Sequence, residues 1–194
     1  MGIHPVYTMQ HRGRNVVLFH PGIGAPLATA LLEELIALGC RKFIVCGGAG
    51  VLDSALEMGT VLIITSAVRD EGTSYHYLPP AREVGASPSA IRALEETLTA
   101  REVPYQLVKT WTTDAFYRET VNKIALRRSE GCLTVEMEAA ALFAVAQFRK
   151  VEIGQILYAG DDISGTSWTG RAWLQNTPIR EKLIWLAAEA SFKI

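Results

Sequence analysis

Short β-branched runs alternate with longer segments of helical periodicity along this chain, and the alternation restricts the folds that it can adopt. The short runs are apolar on both faces, as strands buried within a sheet are: 16-VVLF-19, 43-FIVC-46, 61-VLIITSA-67, 105-YQLVKT-110 and 153-IGQILYA-159. The helical segments are 27-LATALLEELIALG-39, 88-PSAIRALEETLTA-100, one beginning near Glu138, and 178-PIREKLIWLAAEA-190. The pattern predicts an α/β fold, a three-layer α/β/α sandwich around a central, mostly parallel or mixed twisted sheet.

The size and charge of the chain indicate one domain and a small-molecule partner. Its 194 residues, 49% of them hydrophobic, suffice for one well-buried core and are few for two, so residues 1–194 are expected to form a single domain. The 19 lysine and arginine residues nearly balance the 20 aspartate and glutamate residues, without a basic stripe. This distribution argues against nucleic acid or an anionic membrane as the partner.

The cysteines and the N-terminal sequence predict an unexported, cytoplasmic protein. Cys40, Cys46 and Cys132 lie in or beside apolar runs without metal-ligand spacing, and we interpret them as reduced core thiols. The N-terminus has no charged-then-apolar signal pattern, and no apolar run approaches the ~20 residues that cross a bilayer. The sequence predicts neither a metal site nor a bound cofactor.

Two loops interrupt the alternation where strands are predicted to end. Both 68-VRDEGTSYHYLPP-80 and 160-GDDISGTSWTGRAW-173 are rich in polar, glycine and aromatic residues. Because ligands of open α/β sheets lie outside the carboxyl ends of strands, these loops are expected to carry the chemistry. The loop aromatic residues are interpreted either as satellite core or as a stacking surface for a flat heteroaromatic ligand: Tyr75, His76, Tyr77, Phe116, Tyr117, Trp168 and Trp173.

Two glycine-rich stretches, 22-GIGAP-26 and 47-GGAG-50, have two interpretations. Glycine lets backbone N–H groups approach an anion, and a helix N-terminus adds partial positive charge. Alternatively, each is a tight strand-to-helix turn that needs positive φ. Neither stretch completes a dinucleotide or P-loop fingerprint, so the choice stays open.

Glu136 and Glu138 stand just before 139-AAALFAVAQF-148, a segment that is apolar nearly all round. One reason for them is the helix dipole, which acidic residues in a first turn favour by roughly 0.3–1 kcal/mol. The other is a ligand, because a carboxylate at the mouth of a buried helix needs a partner and can accept two parallel hydrogen bonds from a ribose diol. In an extended backbone the two glutamates share a face, and Met137 on the other face is suited to packing against a sugar ring.

Asp161 and Asp162 directly follow the strand predicted over residues 153–159. One interpretation is an N-cap or Asx turn. The other is a general acid, a carboxyl group at the strand end whose pKa is raised by apolar surroundings. The residues alone leave both open.

Several of these segments together resemble the nucleoside phosphorylases of the purine and uridine phosphorylase type. They are 22-GIGAPLATALLEELIALG-39, 66-SAVRDEGTSYHYLP-79, 112-TTDAFY-117 and 134-TVEMEAAALFAVA-146, in the family's order, and the resemblance runs from about Tyr7 to the C-terminus. The V-E-M-E-A-A element is specific to that family, whereas the glycine stretches are not. The resemblance implies cleavage of a ribosyl N-glycosidic bond by an α/β/α protein that commonly assembles from dimers into hexamers.

The resemblance also implies roles for individual residues. Glu138 is similar to the carboxylate that binds the ribose diol, and Met137 to the residue that packs on the sugar. Asp161 stands where purine-cleaving members place the aspartate that protonates the leaving base at N7, and Arg171 is similar to the arginine that steadies this aspartate. The other implied base-pocket residues are Phe116, which would lie along the base, and Ala49, Gly50 and Val135.

The implied base is a purine or 6-oxopurine. Uridine-cleaving members lack the acid and hold uracil with a glutamine and an arginine shortly after the aromatic residue. The corresponding segment here, 116-FYRETVNKIALRRSE-130, is shorter and shows no match to that pair.

The chain departs from the family at the implied phosphate site. Family members carry an additional N-terminal portion with a first strand and a glycine-and-arginine phosphate loop, and this chain begins after it. Val45 replaces the arginine before the second glycine stretch and Gly48 replaces its serine or threonine, so Gly47 and Gly48 are expected to form a degenerate phosphate site. The nearby cations by sequence order, for which surface roles are expected, are Arg12, Arg14 and Arg69.

The sequence therefore predicts a protein of nucleoside metabolism and nucleotide salvage that cleaves the N-glycosidic bond of a ribonucleoside, with weakened or absent use of phosphate as co-substrate. Two alternatives remain. One is a hydrolytic nucleosidase, and the other is a non-catalytic relative that binds nucleosides or nucleobases. The resemblance also implies a homo-oligomer, either a dimer or a trimer of dimers.

Overall fold

The computed structural model describes residues 4–11, 13–172 and 177–194. Within these ranges, the strands are β1 (Val6–His11), β2 (Arg14–Phe19), β3 (Lys42–Val51), β4 (Val61–Asp70), β5 (Glu83–Gly85), β6 (Tyr105–Thr113), β7 (Cys132–Glu136) and β8 (Glu152–Asp162). The helices are α1 (Ala25–Ala37), α2 (Pro88–Ala100), α3 (Val121–Ser129), α4 (Ala139–Arg149) and α5 (Thr177–Ser191), with short 3₁₀ turns at Thr73–His76 and Phe116–Arg118.

Six strands form one sheet that closes on itself. Its order is β5-β4-β6-β7-β3-β8, and β8 pairs with β4 as well as with β3. Strand β3 runs parallel to β8, and β6 runs parallel to β4 and β7. The β3–β7 and β4–β8 pairs are antiparallel. The sheet is therefore mixed, the second of the two arrangements that the sequence predicts.

Successive residues of the central strands alternate between two cores, one on each face of the sheet. In β4, Leu62 and Ile64 pack in the core that contains α1 and α4. Val61 and Ile63 pack in the core that contains α2 and α5. Because helices cover both faces, the strands need apolar residues on both faces. The predicted three-layer fold is confirmed.

Strand β2 differs from its predicted role. The run 16-VVLF-19 lies in β2, but β2 pairs with β1 in a separate antiparallel hairpin rather than in the central sheet. Val17 and Leu18 are 40% and 37% exposed, so the prediction of burial on both faces is wrong for this strand. An apolar run indicates a strand, but not which of its edges are paired.

The cysteines are free thiols, as the sequence predicts. Burial raises the pKa of Cys46 to about 11 and that of Cys132 to about 12, so both thiols stay protonated and unreactive at neutral pH. In the part of the chain that the structure describes, no cluster of three or more His, Cys, Asp or Glu side chains could hold a metal ion. No helix in the same ranges is long and apolar enough to cross a membrane.

Candidate active site

The C-terminal ends of β3, β7 and β8 meet, and they carry several of the predicted site residues. Gly50 lies opposite Val135 where β3 pairs with β7, and Ala49 lies opposite Ala159 where β3 pairs with β8. A Cβ atom placed on Gly50 would lie 3.1 Å from Val135 Cγ1 and 3.6 Å from Asp161 Oδ1. Gly50, Val135 and Asp161 are therefore neighbours.

Glu136, the last residue of β7, caps the N-terminus of α4. Its Oε2 accepts hydrogen bonds from the backbone N–H groups of Glu138 (2.8 Å) and Ala139 (2.7 Å). Its Oε1 accepts a bond of 2.5 Å from the Thr112 hydroxyl. The side chain is buried, and burial together with the neighbouring charge of Glu138 raises its pKa to about 7. The helix-terminus interpretation thus describes Glu136, whose acceptors are used within the protein.

Glu138 directly precedes α4 and is partly exposed at the mouth of this buried helix. Its Oε1 accepts a hydrogen bond of 2.5 Å from Gly24 N–H, which connects the mouth of α4 to the turn before α1. Burial raises the pKa of Glu138, while backbone hydrogen bonds from Gly24 and Met137 and the charge of His20 oppose the increase. Of the two carboxylates, Glu138 is the one that a ligand can reach.

The glycine stretch before α1 satisfies both of its interpretations. Gly22 and Gly24 have φ of 78° and 93°, so this is a tight turn that favours glycine. His20 Nδ1 accepts a hydrogen bond of 3.0 Å from Gly22 N–H. The Gly24 N–H does meet an anion, but that anion is the internal carboxylate of Glu138.

The second glycine stretch, residues 47–50, is not a turn. It lies inside β3, and none of its glycines has a positive φ, so the strand-to-helix interpretation is wrong. A Cβ atom on Gly48 would lie 2.7 Å from Cζ of the buried Tyr158 side chain. Glycine at this position therefore leaves room for the Tyr158 ring, which occupies the space beside the expected phosphate site.

Asp161 and Asp162 point to different partners. Asp161 Oδ2 accepts a hydrogen bond of 2.7 Å from Trp168 Nε1. Asp162 Oδ1 accepts one of 2.8 Å from Ser164 N–H, so the Asx-turn interpretation describes Asp162. Arg171 Nη1 lies 3.9 Å from Asp162 Oδ2 and donates to the Leu56 carbonyl. The predicted contact between Arg171 and Asp161 is thus replaced by one with Asp162.

Glu119 is a carboxylate that the sequence interpretation missed. It follows the 3₁₀ turn Phe116–Arg118, and its N–H donates to the Phe116 carbonyl at 3.3 Å. Burial, with a contribution from the charge of Asp161, raises its pKa to about 7. The signal in the sequence is its place shortly after Phe116, the aromatic residue implied to lie along the base.

The loop aromatic residues divide between core and candidate site. The ring of Tyr77 packs against Phe148 at 5.7 Å between centroids and contacts the α1 and α4 core, so Tyr77 is satellite core. Phe116 and Tyr117 are exposed, with ring centroids 4.2 Å apart. Trp168 is exposed and bonded to Asp161. Trp173 lies outside the described residues.

The predicted surface role is wrong for Arg69. This side chain is 2% exposed and donates to Ser74 Oγ and to the carbonyls of Leu78 and Pro79. Its guanidinium lies 4.2 Å from the Tyr75 ring centroid. Arg69 therefore fixes the loop after β4. Arg14 is exposed and donates to the Phe192 carbonyl, and Arg12 lies outside the described residues.

Comparison with known proteins identifies the family of this chain. The phosphorylase superfamily profile matches residues 2–184. A guanosine phosphorylase of Halorubrum lacusprofundi is 31% identical over 156 residues, 79% of this chain and 64% of the relative. A uridine phosphorylase of Treponema pallidum is 32% identical over 153 residues, 73% of this chain and 59% of the relative. The chain belongs to the phosphorylase superfamily.

A solved structure shows the same fold. The purine nucleoside phosphorylase of Toxoplasma gondii, crystallised with immucillin-H, matches 97% of this chain and 77% of its own with a TM-score of 0.88, at 21% identity. The guanosine and uridine phosphorylases named above are longer than the matched region, since this chain spans about three fifths of the length of each.

Proposed function

We propose that this chain binds a ribonucleoside and cleaves its N-glycosidic bond, with a purine as the favoured base. The observation that carries the proposal is that two carboxylates from distant parts of the sequence, Glu138 and Asp161, both lie close to Val135 of β7. Glu138 lies three residues after Val135, and Val135 packs beside Gly50 and Asp161. One carboxylate is thus available for the sugar and the other for the base.

In this proposal the ribose lies at the mouth of α4. Glu138 accepts hydrogen bonds from the 2′ and 3′ hydroxyls, with its backbone partner Gly24 holding the carboxylate in place. Met137 packs on the sugar ring, and Phe116 lies along the base with Ala49, Gly50 and Val135 around it. A fixed sugar keeps C1′ positioned for the incoming nucleophile.

Asp161 is the proposed acid. A purine leaving as an anion is a poor leaving group, and protonation at N7 during bond cleavage removes that difficulty. The Trp168 N–H holds Asp161 Oδ2 and leaves Oδ1 beside Gly50. Glu119, whose pKa is raised to about 7 by burial and by the charge of Asp161, adds a second carboxyl group to the same region.

The nucleophile is proposed to be water or weakly held phosphate. Val45 stands where the resemblance implies an arginine, and Tyr158 fills the space at Gly48. A phosphate dianion is normally held by cationic side chains together with backbone N–H groups. The same observation favours a second candidate, a non-catalytic relative that binds nucleosides or nucleobases without turnover.

One experiment separates these functions. The protein is incubated with a panel of purine and pyrimidine ribonucleosides, with and without phosphate, and the products are resolved by chromatography. Free base and free ribose formed equally in both conditions indicate hydrolysis, whereas ribose 1-phosphate indicates phosphorolysis. Nucleoside binding without any product supports the second candidate, and a panel that neither binds nor reacts contradicts both.

The proposal extends to assembly and location. We propose a cytoplasmic homo-oligomer, a dimer or a trimer of dimers, that acts in nucleoside salvage. Sedimentation velocity at several protein concentrations tests the assembly, and a monomer at all concentrations would contradict it.

A further inference from the structure

The chain after β8 turns back on itself and forms a closed loop beside Asp161. Asp162 N–H donates to the Thr169 carbonyl at 2.8 Å, and Thr169 N–H donates to the Asp162 carbonyl at 2.9 Å, which makes an antiparallel bridge. By the register of this bridge, Gly170 lies opposite Asp161, and Trp168 is the diagonal neighbour of Asp161 on the same face. Diagonal neighbours lie within reach of a large aromatic side chain.

The loop is also attached to the rest of the fold at both of its ends. Ile163 N–H donates to the carbonyl of Val51, the last residue of β3, at 3.1 Å. The Ile163 side chain lies in a buried cluster with residues of β7. Arg171 Nη1 donates to the Leu56 carbonyl at 2.9 Å. These bonds hold the loop in place without Trp168, so this side chain can be replaced without release of the loop.

Gly170 leaves room for the ring of Trp168. A Cβ atom on Gly170 would lie 2.7 Å from Cη2 and 3.2 Å from Cζ2 of that ring. The φ of Gly170 is not positive, so the ring and not the backbone conformation accounts for glycine at this position. With its ring over Gly170, Trp168 donates from Nε1 to Asp161 Oδ2 at 2.7 Å. The Trp168 side chain is 65% exposed, so burial in a core does not account for its placement.

The chemistry of the indole distinguishes the two oxygens of Asp161. An indole N–H donates a hydrogen bond and cannot accept one. When the carboxyl group is protonated, the oxygen without the proton is the better acceptor, so the bond to Oδ2 favours the proton on Oδ1. Oδ1 is the oxygen closer to Gly50, at 3.6 Å against 3.9 Å from the Cβ position of that residue. In the described residues, Oδ1 has no hydrogen-bond partner.

We propose that Trp168 is a positioning residue for the acid Asp161, an inference that rests on the proposed function. Its N–H holds Oδ2 and keeps the transferable proton on Oδ1, facing the base. As the C1′–N9 bond breaks, its electron pair goes to the base and N7 takes this proton. The nucleophile bonds to C1′, and the proton that it loses restores Asp161 through solvent. Trp168 thereby takes the role that the resemblance implies for Arg171, which lies near Asp162 instead.

The test compares guanosine and inosine with their 7-methyl derivatives, in which N7 is already alkylated and the base leaves without a proton. Trp168→Phe keeps an aromatic ring and removes the donor. We expect it to slow guanosine and inosine about 10- to 100-fold, mainly in kcat, and the 7-methyl nucleosides by about twofold or less. Trp185→Phe in α5 is the matched control, since Trp185 is also exposed, at 55%, and it should cleave all four at the wild-type rate. Thermal unfolding checks that each variant is folded.

Three further measurements test whether Trp168 acts through Asp161. Trp168→Phe combined with Asp161→Asn should be no slower than Asp161→Asn alone, because the group that the indole positions is already lost. Gly170→Ala keeps the indole but displaces its ring, and it should slow the parent nucleosides and spare the 7-methyl derivatives. In ¹H–¹⁵N spectra of the free protein, the indole resonance that Trp168→Phe removes should move in Asp161→Asn.

The outcomes separate this inference from the proposed function. Equal slowing of parent and 7-methyl nucleosides by Trp168→Phe would overturn the inference in favour of a structural role. Additive slowing in the double variant, or an indole resonance that Asp161→Asn leaves unmoved, would also overturn it. Wild-type rates in Trp168→Phe would overturn the inference and leave the proposed function standing. A wild-type protein that cleaves none of these nucleosides would overturn the proposed function and the inference together.

Discussion

Glu136 and Glu138 are two residues apart, yet the fold gives them different partners. Glu136 is buried and bonded to two backbone N–H groups and to Thr112, whereas Glu138 is partly exposed at the helix mouth. An element with two glutamates can therefore serve two purposes, one structural and one for a ligand. This difference is testable with a matched pair of amide substitutions.

We predict that Glu138→Gln weakens ribonucleoside binding by about tenfold or more and leaves the fold intact. An amide offers one acceptor oxygen instead of two, and a charge-assisted hydrogen bond is roughly twice as strong as a neutral one. Glu136→Gln should instead lower the free energy of unfolding by about 1–3 kcal/mol, because an amide NH₂ would face donors in a buried place. Calorimetry measures both quantities. Unchanged affinity in Glu138→Gln would contradict the proposed role.

Asp161→Asn is predicted to slow the cleavage of purine nucleosides by about 10²–10⁴-fold, the usual contribution of a general acid. Asp162→Asn is the matched control, since Asp162 bonds Ser164 N–H and lies near Arg171. We expect Asp162→Asn to act mainly on stability. Initial rates under identical conditions compare the two variants. If Asp162→Asn is the slower variant, the acid is the second aspartate and Arg171 is its partner.

Glu119→Gln tests the second carboxyl group through the pH dependence of stability. The pKa of Glu119 is raised from 4.5 to about 7, so the folded state binds the proton more tightly than the unfolded state. Such a group stabilises the fold at low pH, and this contribution is lost as the pH rises from 4.5 to about 7. The variant should match the wild type near pH 4 and exceed it above pH 7 by about 1 kcal/mol, after allowance for solvent screening. Denaturant unfolding at several pH values measures the difference, and parallel curves would contradict the assignment.

The sequence identifies residues better than it identifies their contacts. The V-E-M-E-A-A element marks Glu138, and the structure places it at the mouth of α4 as expected. The predicted partner of Arg171 is wrong, because neighbouring aspartates at a strand end point in different directions. Glu119 is not identified as a site residue from the sequence, because nothing in the local sequence pattern indicates that this residue lies near Asp161.

At the scale of the elements, the strands with two apolar faces are predicted well and the edge strands are not. The runs in β4 and β8 are buried as predicted, because helices cover both faces of each, whereas residues 43–46 of β3 are half-buried and Leu107 of β6 is 49% exposed. Strand β2 shows the same apolar pattern, yet it lies beside a cavity and not beside a neighbouring central strand. The three-residue strand β5 is too short to show an alternation of apolar and polar residues. The five-residue strand β7 is not predicted because it ends just before α4, and its residues are assigned to the segment that leads into this helix.

Gly48→Ser is predicted to lower the free energy of unfolding by about 1–2 kcal/mol, the cost of pressing an added side chain against the buried ring of Tyr158. The added side chain would meet the Tyr158 ring, since even a Cβ atom there lies 2.7 Å from Cζ. Tyr158→Leu in the same chain should recover part of the loss by making space. Thermal unfolding of the single and double variants measures this coupling. Additive effects would show that Tyr158 is not the reason for glycine at this position.

At the scale of the whole molecule, the candidate site depends on the ends of several strands that are distant in sequence. The chain order of motifs is enough to suggest the family, and the superfamily profile over residues 2–184 confirms it. The sequence pattern does not predict closure of the sheet, because the β4–β8 pairing joins segments about ninety residues apart. Nor does it predict the cavity between β2 and β3, which residues distant in the sequence line.

The whole-molecule prediction concerns phosphate affinity. The candidate cations have other partners, since Arg69 is bonded within its loop and Arg14 to the Phe192 carbonyl, and Val45 supplies no charge. Backbone N–H groups without a counter-charge should bind phosphate in the millimolar range, on the order of −4 kcal/mol. About 10 mM phosphate should then stabilise the fold by roughly 1.4 kcal/mol or less. Thermal unfolding with phosphate, and with chloride at matched ionic strength, measures this. Saturation at micromolar phosphate would show that residues outside those considered complete the site, and would favour phosphorolysis over hydrolysis.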